Sequence, residues 1–140
     1  SQGALVSTIT AADNPGMFNA VALIYPALGI PETAPFMLER TRDTPCDFEF
    51  WGMKMSQKYY RSILGLAPFA YLERISAPLL VVYGDEDAIT PSETMERVSS
   101  LPSGPAMRKI EGGKHGFPDP FNHRLAETYV MSFIREVLEK

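Results

Sequence analysis

Two short apolar runs without a break constrain what this chain can fold into. Ala20-Val21-Ala22-Leu23-Ile24-Tyr25 is stopped by Pro26, and Pro78-Leu79-Leu80-Val81-Val82-Tyr83 is stopped by Gly84. A strand with one wet face alternates apolar and polar side chains. A strand covered on both faces does not, and such strands belong to parallel sheets. Residues 107–110 give a weaker third strand, ended by Glu111-Gly112-Gly113. Helical patterns separate and follow these runs. Residues 2–12 read as a helix whose small side chains, Gly3, Ala4, Ser7, Thr8, Ala11 and Ala12, let it lie close to a sheet, with Leu5 and Ile9 as an apolar pair. Ser92 suits the N-cap of a helix that turns Met95 and Val98 inward. The last helix starts at Asp119-Pro120 or at Asn122. Its doublets Leu125/Ala126, Tyr129/Val130, Phe133/Ile134 and Val137/Leu138 recur every four residues and predict one wide buried stripe. Strands alternating with helices define an α/β fold with a parallel sheet.

Residues 29–76 break the alternation. They open with Pro31, Glu32, Thr33 and Pro35, which read as loop. Asp47-Phe48-Glu49-Phe50-Trp51 alternates like a short half-exposed strand, and Ser56 suits the cap of a helix through Tyr59, Ile63 and Leu64. Aromatic and methionine side chains crowd this stretch, Phe36, Trp51, Tyr60, Phe69 and Tyr71 among them. It reads as a cap or lid inserted into a core made of residues 1–28 and 77–140. Most of its aromatics are expected to form a small core of its own.

Composition narrows the partners. Net charge is −4 and no basic run occurs, which argues against nucleic acid and against an anionic membrane surface. No apolar stretch approaches the roughly 20 residues that cross a bilayer. The single cysteine, Cys46, has no internal disulfide partner, which fits a reducing compartment, so a cytoplasmic location is expected. In Thr44-Pro45-Cys46-Asp47 it has no flanking glycine turn and reads as an ordinary free thiol.

Three residues carry the chemistry. A serine hydroxyl is a weak nucleophile at neutral pH; it needs a histidine to take its proton and an acid to hold that histidine in the right tautomer. Ser1 opens the chain just ahead of the small-residue helix. An acidic loop, Asp85-Glu86-Asp87, leaves the second strand, and His115 lies between Gly113 and Gly116 after the third. Serine, acid and histidine at successive strand ends is an order known for such triads. Spacing favours Asp87 over Asp85 only modestly, since a solvated acidic loop would look alike. His123, beside Asn122 and Arg124, reads as a solvated helix start. Gly3 and Ala4 supply the small neighbours that a sharp strand-to-helix turn needs. The backbone N–H of Gln2, at the helix N-terminus, is the expected oxyanion donor. An N-terminal nucleophile using its own amine is the rival reading of Ser1. It is disfavoured because those hydrolases pack sheet on sheet.

Ser1-Gln2-Gly3-Ala4, Leu23-Ile24-Tyr25-Pro26-Ala27, the run from Ile75 through Gly84-Asp85-Glu86-Asp87, and Glu111-Gly112-Gly113-Lys114-His115-Gly116-Phe117 together resemble α/β-hydrolases. Within that superfamily they are most similar to the cinnamoyl/feruloyl esterase-like serine hydrolases. The resemblance implies a partial α/β-hydrolase fold, with the three strands as the sixth to eighth of eight. It also implies Asp87 as the triad acid, a cap over the active site, and an acyl-enzyme mechanism on carboxylic esters with no metal or organic cofactor. Trp51, Tyr60 and Phe117 are the residues it suggests for lining a small-molecule ester pocket. A serine peptidase of prolyl-oligopeptidase type, a thioesterase, and a non-catalytic binding module on a hydrolase scaffold are the alternatives. The nucleophile strand, the first elbow glycine and the loop giving a second oxyanion N–H would precede Ser1. The expectation is therefore a C-terminal half, inactive or nearly so alone, whose open strand edge favours association into a homodimer.

Overall fold

The computed structural model describes residues 1–43, 48–50 and 53–139. Its elements in chain order are α1 (Gln2–Asp13), β1 (Val21–Ile24), α2 (Ile30–Arg40), β2 (Phe48–Phe50), β3 (Met53–Met55), α3 (Gln57–Ile63), α4 (Pro68–Glu73), β4 (Leu79–Gly84), α5 (Ser92–Ser99), β5 (Ala106–Ile110) and α6 (Pro120–Leu138). Residues 1–28 and 68–140 form one compact unit, and residues 29–67 form a second. Cys46, and Asp47 and Trp51 of the expected strand, lie outside the described residues.

The first unit is a three-stranded parallel sheet in the order β1-β4-β5. Val21 pairs with Leu79 and Ile24 with Val82, while Leu80 pairs with Ala106 and Gly84 with Ile110. β4 is central, which explains why its sequence shows no alternation. Leu79 and Val81 enter one apolar cluster with Ala4, Ala11 and Ala12 of α1, Leu72 of α4 and Met95 and Val98 of α5. Leu80 and Val82 point the other way, into a cluster with Ile110, Phe117 and Ala126 of α6. Period-2 alternation is present, but both faces are covered, so every position is apolar.

Local chemistry sets the helices with some departures from expectation. Ala4, Leu5, Thr8, Ala11 and Ala12 of α1 are buried, whereas Gly3 and Ser7 face outward. A side chain at Gly3 would meet nothing within 4 Å, so the space expected to demand glycine there is open. Pro91 rather than Ser92 occupies the N-cap of α5, its ring fixing an extended entry, while Met95 and Val98 are buried as expected. Asp119 caps α6, its side chain accepting from the N–H groups of Phe121 and Asn122. The α6 stripe is shallower than its pattern suggests. Only Ala126 of the helix is fully buried, and Leu138 is exposed.

The second unit joins α2, the antiparallel hairpin β2–β3 and α3. The residues read as loop, Pro31, Glu32, Thr33 and Pro35, lie inside α2. Pro31 falls in the first turn, where its missing N–H costs nothing, but Pro35 lies further in and removes a helical bond. Burial of Ala34 against Tyr60 and Ile63 outweighs that loss. Ser56 precedes α3 as expected. Residues 68–76, assigned from sequence to the insertion, belong to the first unit, where Leu72 is fully buried and α4 packs on α1. Among the described residues no helix is long and apolar enough to cross a membrane.

Gly84 ends β4 in a space with no room for a side chain: a Cβ there would lie 2.0 Å from the Gly113 carbonyl oxygen. Gly84→Ala is expected to cost about 3 kcal/mol or more, the upper range of overpacking, or to prevent folding. Gly3→Ala is expected to be neutral or to stabilise by up to about 1 kcal/mol through helix propensity. Urea unfolding of the two variants checks both signs.

Candidate active site

The loops leaving β4 and β5 meet at the C-terminal edge of the sheet, where open parallel sheets gather ligand and catalytic groups. Backbone contacts lock them together. Asp85 N–H donates to the Ile110 carbonyl at 3.3 Å, and Glu86 N–H to the Gly113 carbonyl at 3.1 Å. Asp85 adds a side-chain latch, its Oδ1 accepting from Gly112 N–H at 2.8 Å, with Lys109 Nζ 3.7 Å from Oδ2. Asp85 therefore joins the two loops, a role that spacing alone could not separate from that of Asp87.

Asp87 is buried and turned inward. Its Oδ1 accepts from Ile89 N–H at 2.8 Å and Thr90 N–H at 3.0 Å, a turn in which an aspartate side chain stands in for backbone. Its Oδ2 lies 2.8 Å from His115 Nδ1. Burial pushes the carboxyl up. The Thr90 hydroxyl beside it, His115 and the two backbone N–H groups outweigh this and hold it below its ordinary 3.8. Thr90 Oγ1 makes no hydrogen bond of good geometry, so its influence is that of a nearby dipole, and the two N–H groups and the ring are the firm partners. An ionised Asp87 only accepts, so Nδ1 of His115 carries the proton. In the neutral ring Nε2 is then bare and available as a base.

His115 follows the close contact at Gly113 and begins a tight turn, closed by Phe117 N–H donating to the Lys114 carbonyl at 3.0 Å. Gly116 takes φ 81° in that turn, where L side chains are disfavoured. Tyr25, just past β1, sets its ring edge-to-face against His115, with centroids 5.0 Å apart.

Ser1 reaches the same edge from α1. As N-cap of that helix its carbonyl accepts from Ala4 N–H, and also from Ala27 N–H at 3.4 Å. Its backbone nitrogen donates to the Ile24 carbonyl at 3.2 Å, at the end of β1. No hydrogen bond joins Ser1 Oγ to the imidazole among the described residues. Gln2 is exposed at the first position of α1.

The remaining candidates fall elsewhere. Trp51 lies outside the described residues. Tyr60 is buried in the core of the second unit with Ala34 and Ile63, its ring against Tyr59. Phe117 is 2% exposed and packs on Tyr25. Both rings are committed to packing, so a lining role for either needs its core to open. His123 is exposed beside Glu127, as expected of a solvated helix start. Sequence reasoning missed Tyr25, which has φ 38° although it is aromatic and precedes a proline. No sequence rule flags such a residue, because every local preference points away from that conformation. Among the described residues no group of three His, Cys, Asp or Glu side chains is placed to hold a metal ion.

A parallel sheet covered on both faces, with an acid–imidazole pair at its C-terminal edge beside a serine at a helix N-terminus, is part of an α/β-hydrolase fold. Solved structures agree. The chain is similar to Est1E from Butyrivibrio proteoclasticus, with a TM-score of 0.85 and 26% identity over its full length, and it spans 60% of that chain. A second Est1E structure, with ferulic acid bound, gives 0.83. The monoacylglycerol lipase of Paleococcus ferrophilus gives 0.56 at 22% identity over 94% of this chain and 66% of that one. An α/β serine hydrolase homologue from Coxiella burnetii gives 0.57 at 20% identity over 94% and 45%. The lipase and the homologue show the fold alone. No family profile and no curated protein matches the chain.

The depressed carboxyl of Asp87 has a consequence for stability. Its folded value lies below 3.8, so its contribution is complete above 3.8 and is lost as pH falls through the lower folded value. Unfolding free energies across the acid range should therefore show a decline starting below pH 3.8 in the parent and missing from Asp87→Asn.

Proposed function

We propose that the chain carries the nucleophile, base and acid of a serine hydrolase acting on carboxylic esters. The observation that carries this reading is the Asp87–His115 pair, Oδ2 to Nδ1 at 2.8 Å, at the sheet edge where Ser1 caps α1. Asp87 fixes the Nδ1–H tautomer and steadies the imidazolium. His115 Nε2 takes the proton of Ser1 Oγ as the oxygen attacks the ester carbonyl. The oxyanion forms at the N-terminus of α1, where Gln2 N–H donates to it with the helix dipole behind it. Collapse expels the alcohol, protonated by His115, and leaves an acyl-Ser1 ester. Water, activated by the same imidazole, then releases the acid. Est1E with ferulic acid bound makes esters of aromatic acids the first substrates to try. Residues 29–67, a compact unit of their own, are proposed as the cap of this hydrolase.

Gln2 is the one oxyanion donor in this reading. Loss of a single donor costs ~10²–10³ in rate, so ester turnover with Gln2 as the one donor is expected to be weaker by about that factor than in a site with two. Robust turnover that disappears in Ser1→Ala would overturn that part while supporting the nucleophile.

The nucleophile is read with a fluorophosphonate probe and mass spectrometry of the modified peptide. Slow, single-site labelling at Ser1 is expected, absent in Ser1→Ala and His115→Ala and cut by up to ~10⁴-fold in Asp87→Asn, the scale of a lost tautomer. Labelling unchanged by Ser1→Ala contradicts the reading. In any longer protein that contains this chain, a panel of feruloyl ester, acyl thioester and dipeptide amide should show the ester as preferred. Preference for the amide would favour a peptidase instead.

A further inference from the structure

The Asp87 carboxylate meets the His115 ring at Nδ1 alone, with Oδ2 at 2.8 Å and Oδ1 at 3.1 Å. Together with the Cβ–Cγ bond this restrains one side of the ring and leaves the Nε2 side to its packing. The groups around the imidazole offer a second point of support. Tyr25 presents its ring edge-to-face to His115, with centroids 5.0 Å apart and planes at 63°. The same ring packs against Phe117 at 5.3 Å and 78°. Phe117 is fully enclosed with Leu80, Val82, Ile110 and Ala126, so Tyr25 is braced against the core under β4 and α6. His115, Tyr25 and Phe117 thus form one aromatic cluster whose far side is fixed.

The backbone at Tyr25 is held in an unfavourable shape to make this contact. Its φ is 38°, a region that aromatic residues avoid, and the following Pro26 pushes it further toward extended conformations. The peptide group entering Tyr25 is held at both of its polar atoms: Tyr25 N–H donates to the Val82 carbonyl at 2.7 Å, and the Ile24 carbonyl accepts from Ser1. Strain of this kind persists where surrounding contacts over-determine it, and it concentrates at functional sites. Phe117 carries the matching feature on the histidine loop, with φ 47°. The two non-glycine residues with positive φ among those described touch each other, and one of them touches the imidazole.

We infer that Tyr25 is a positioning residue for His115: its ring, rather than its hydroxyl, stops the imidazole from swinging and keeps Nε2 turned toward Ser1. The inference rests on the reading of His115 as the proton carrier in the proposed hydrolysis. Tyr25 follows the strand end that holds Ser1, so one short segment sets both the nucleophile and the plane of the base.

The test uses long-range ¹H–¹⁵N spectra of the imidazoles in the 140-residue chain, which has only two histidines, so that His123 serves as internal control. The parent should show well-separated ring nitrogens for His115, the signature of a fixed Nδ1–H tautomer, and Tyr25→Phe should match it. Tyr25→Gly removes the ring and also relieves the positive φ, whereas Tyr25→Leu keeps bulk and the strained φ without an aromatic face, so the pair separates the contact from the strain. In both, the His115 nitrogens should move toward a common value and its Nδ1 proton should exchange with water about tenfold faster, the scale of a lost aromatic contact. His123 should not change. Parent-like His115 signals in folded Tyr25→Gly or Tyr25→Leu overturn the inference, as does a loss in Tyr25→Phe equal to that in Tyr25→Leu. Asp87→Asn, read in the same spectra, reports on the acid–imidazole pair itself, so failure of that pair and failure of the Tyr25 contact are told apart.

Discussion

The close approach of Gly84 and Gly113 is the constraint on which the rest of the site depends. β4 and β5 are parallel neighbours, and their exits would splay if either carried a side chain at this point. A Cβ on Gly84 would strike the Gly113 carbonyl, and one on Gly113 would come within 2.9 Å of the Gly84 Cα and of the Ile110 carbonyl. With neither present, Asp85 and Glu86 reach the opposite loop through backbone hydrogen bonds, and the Asp85 carboxylate closes on Gly112. Only then do Asp87, next after Glu86, and His115, two residues past Gly113, fall within hydrogen-bond distance.

Polar partners do the rest of the electrostatic work, against burial. A carboxylate sealed from water would ordinarily hold its proton more tightly, yet Asp87 is drawn the other way by the Thr90 side chain, the imidazole and two backbone N–H groups. It stays ionised, dictates which histidine nitrogen carries the proton, and leaves the other nitrogen of the neutral ring bare. The serine arrives by a separate route. Ser1 is pinned by backbone bonds to Ile24, at the end of the strand that borders β4, and to Ala27 in the loop beyond it, and it caps the helix whose dipole would meet a developing negative charge.

Much of this was legible in the sequence, for physical reasons. Leu79 to Tyr83 suited a strand covered on both faces, and Ala4, Thr8, Ala11 and Ala12 of α1 suited a helix lying close to a sheet. The fold class followed from those two facts. Asp119-Pro120 announced the start of α6 because capping chemistry is local. What could not be read depended on tertiary contacts. α2 forms across Pro31 and Pro35, two residues that locally favour a loop, because Ala34 is buried against Tyr60 and Ile63. α4 resembled part of the insertion, and only its packing on α1 shows otherwise. Within the acidic loop, residue spacing barely distinguished Asp85 from Asp87; the glycine contact does so, by giving one the opposite backbone and the other the imidazole. Tyr25 was invisible because its conformation violates the preferences from which a sequence is read.

The most direct measurement is a double-mutant cycle of unfolding free energy between Gly113→Ala and Asp87→Asn. If the glycine contact is what brings the two loops together, Gly113→Ala already separates Asp87 from His115, and adding Asp87→Asn should cost much less than it does in the parent, a coupling well above ~0.5 kcal/mol. Costs that simply add, within that margin, would mean that the acid and the imidazole find each other without the glycines, and the account of how this edge is built would be wrong.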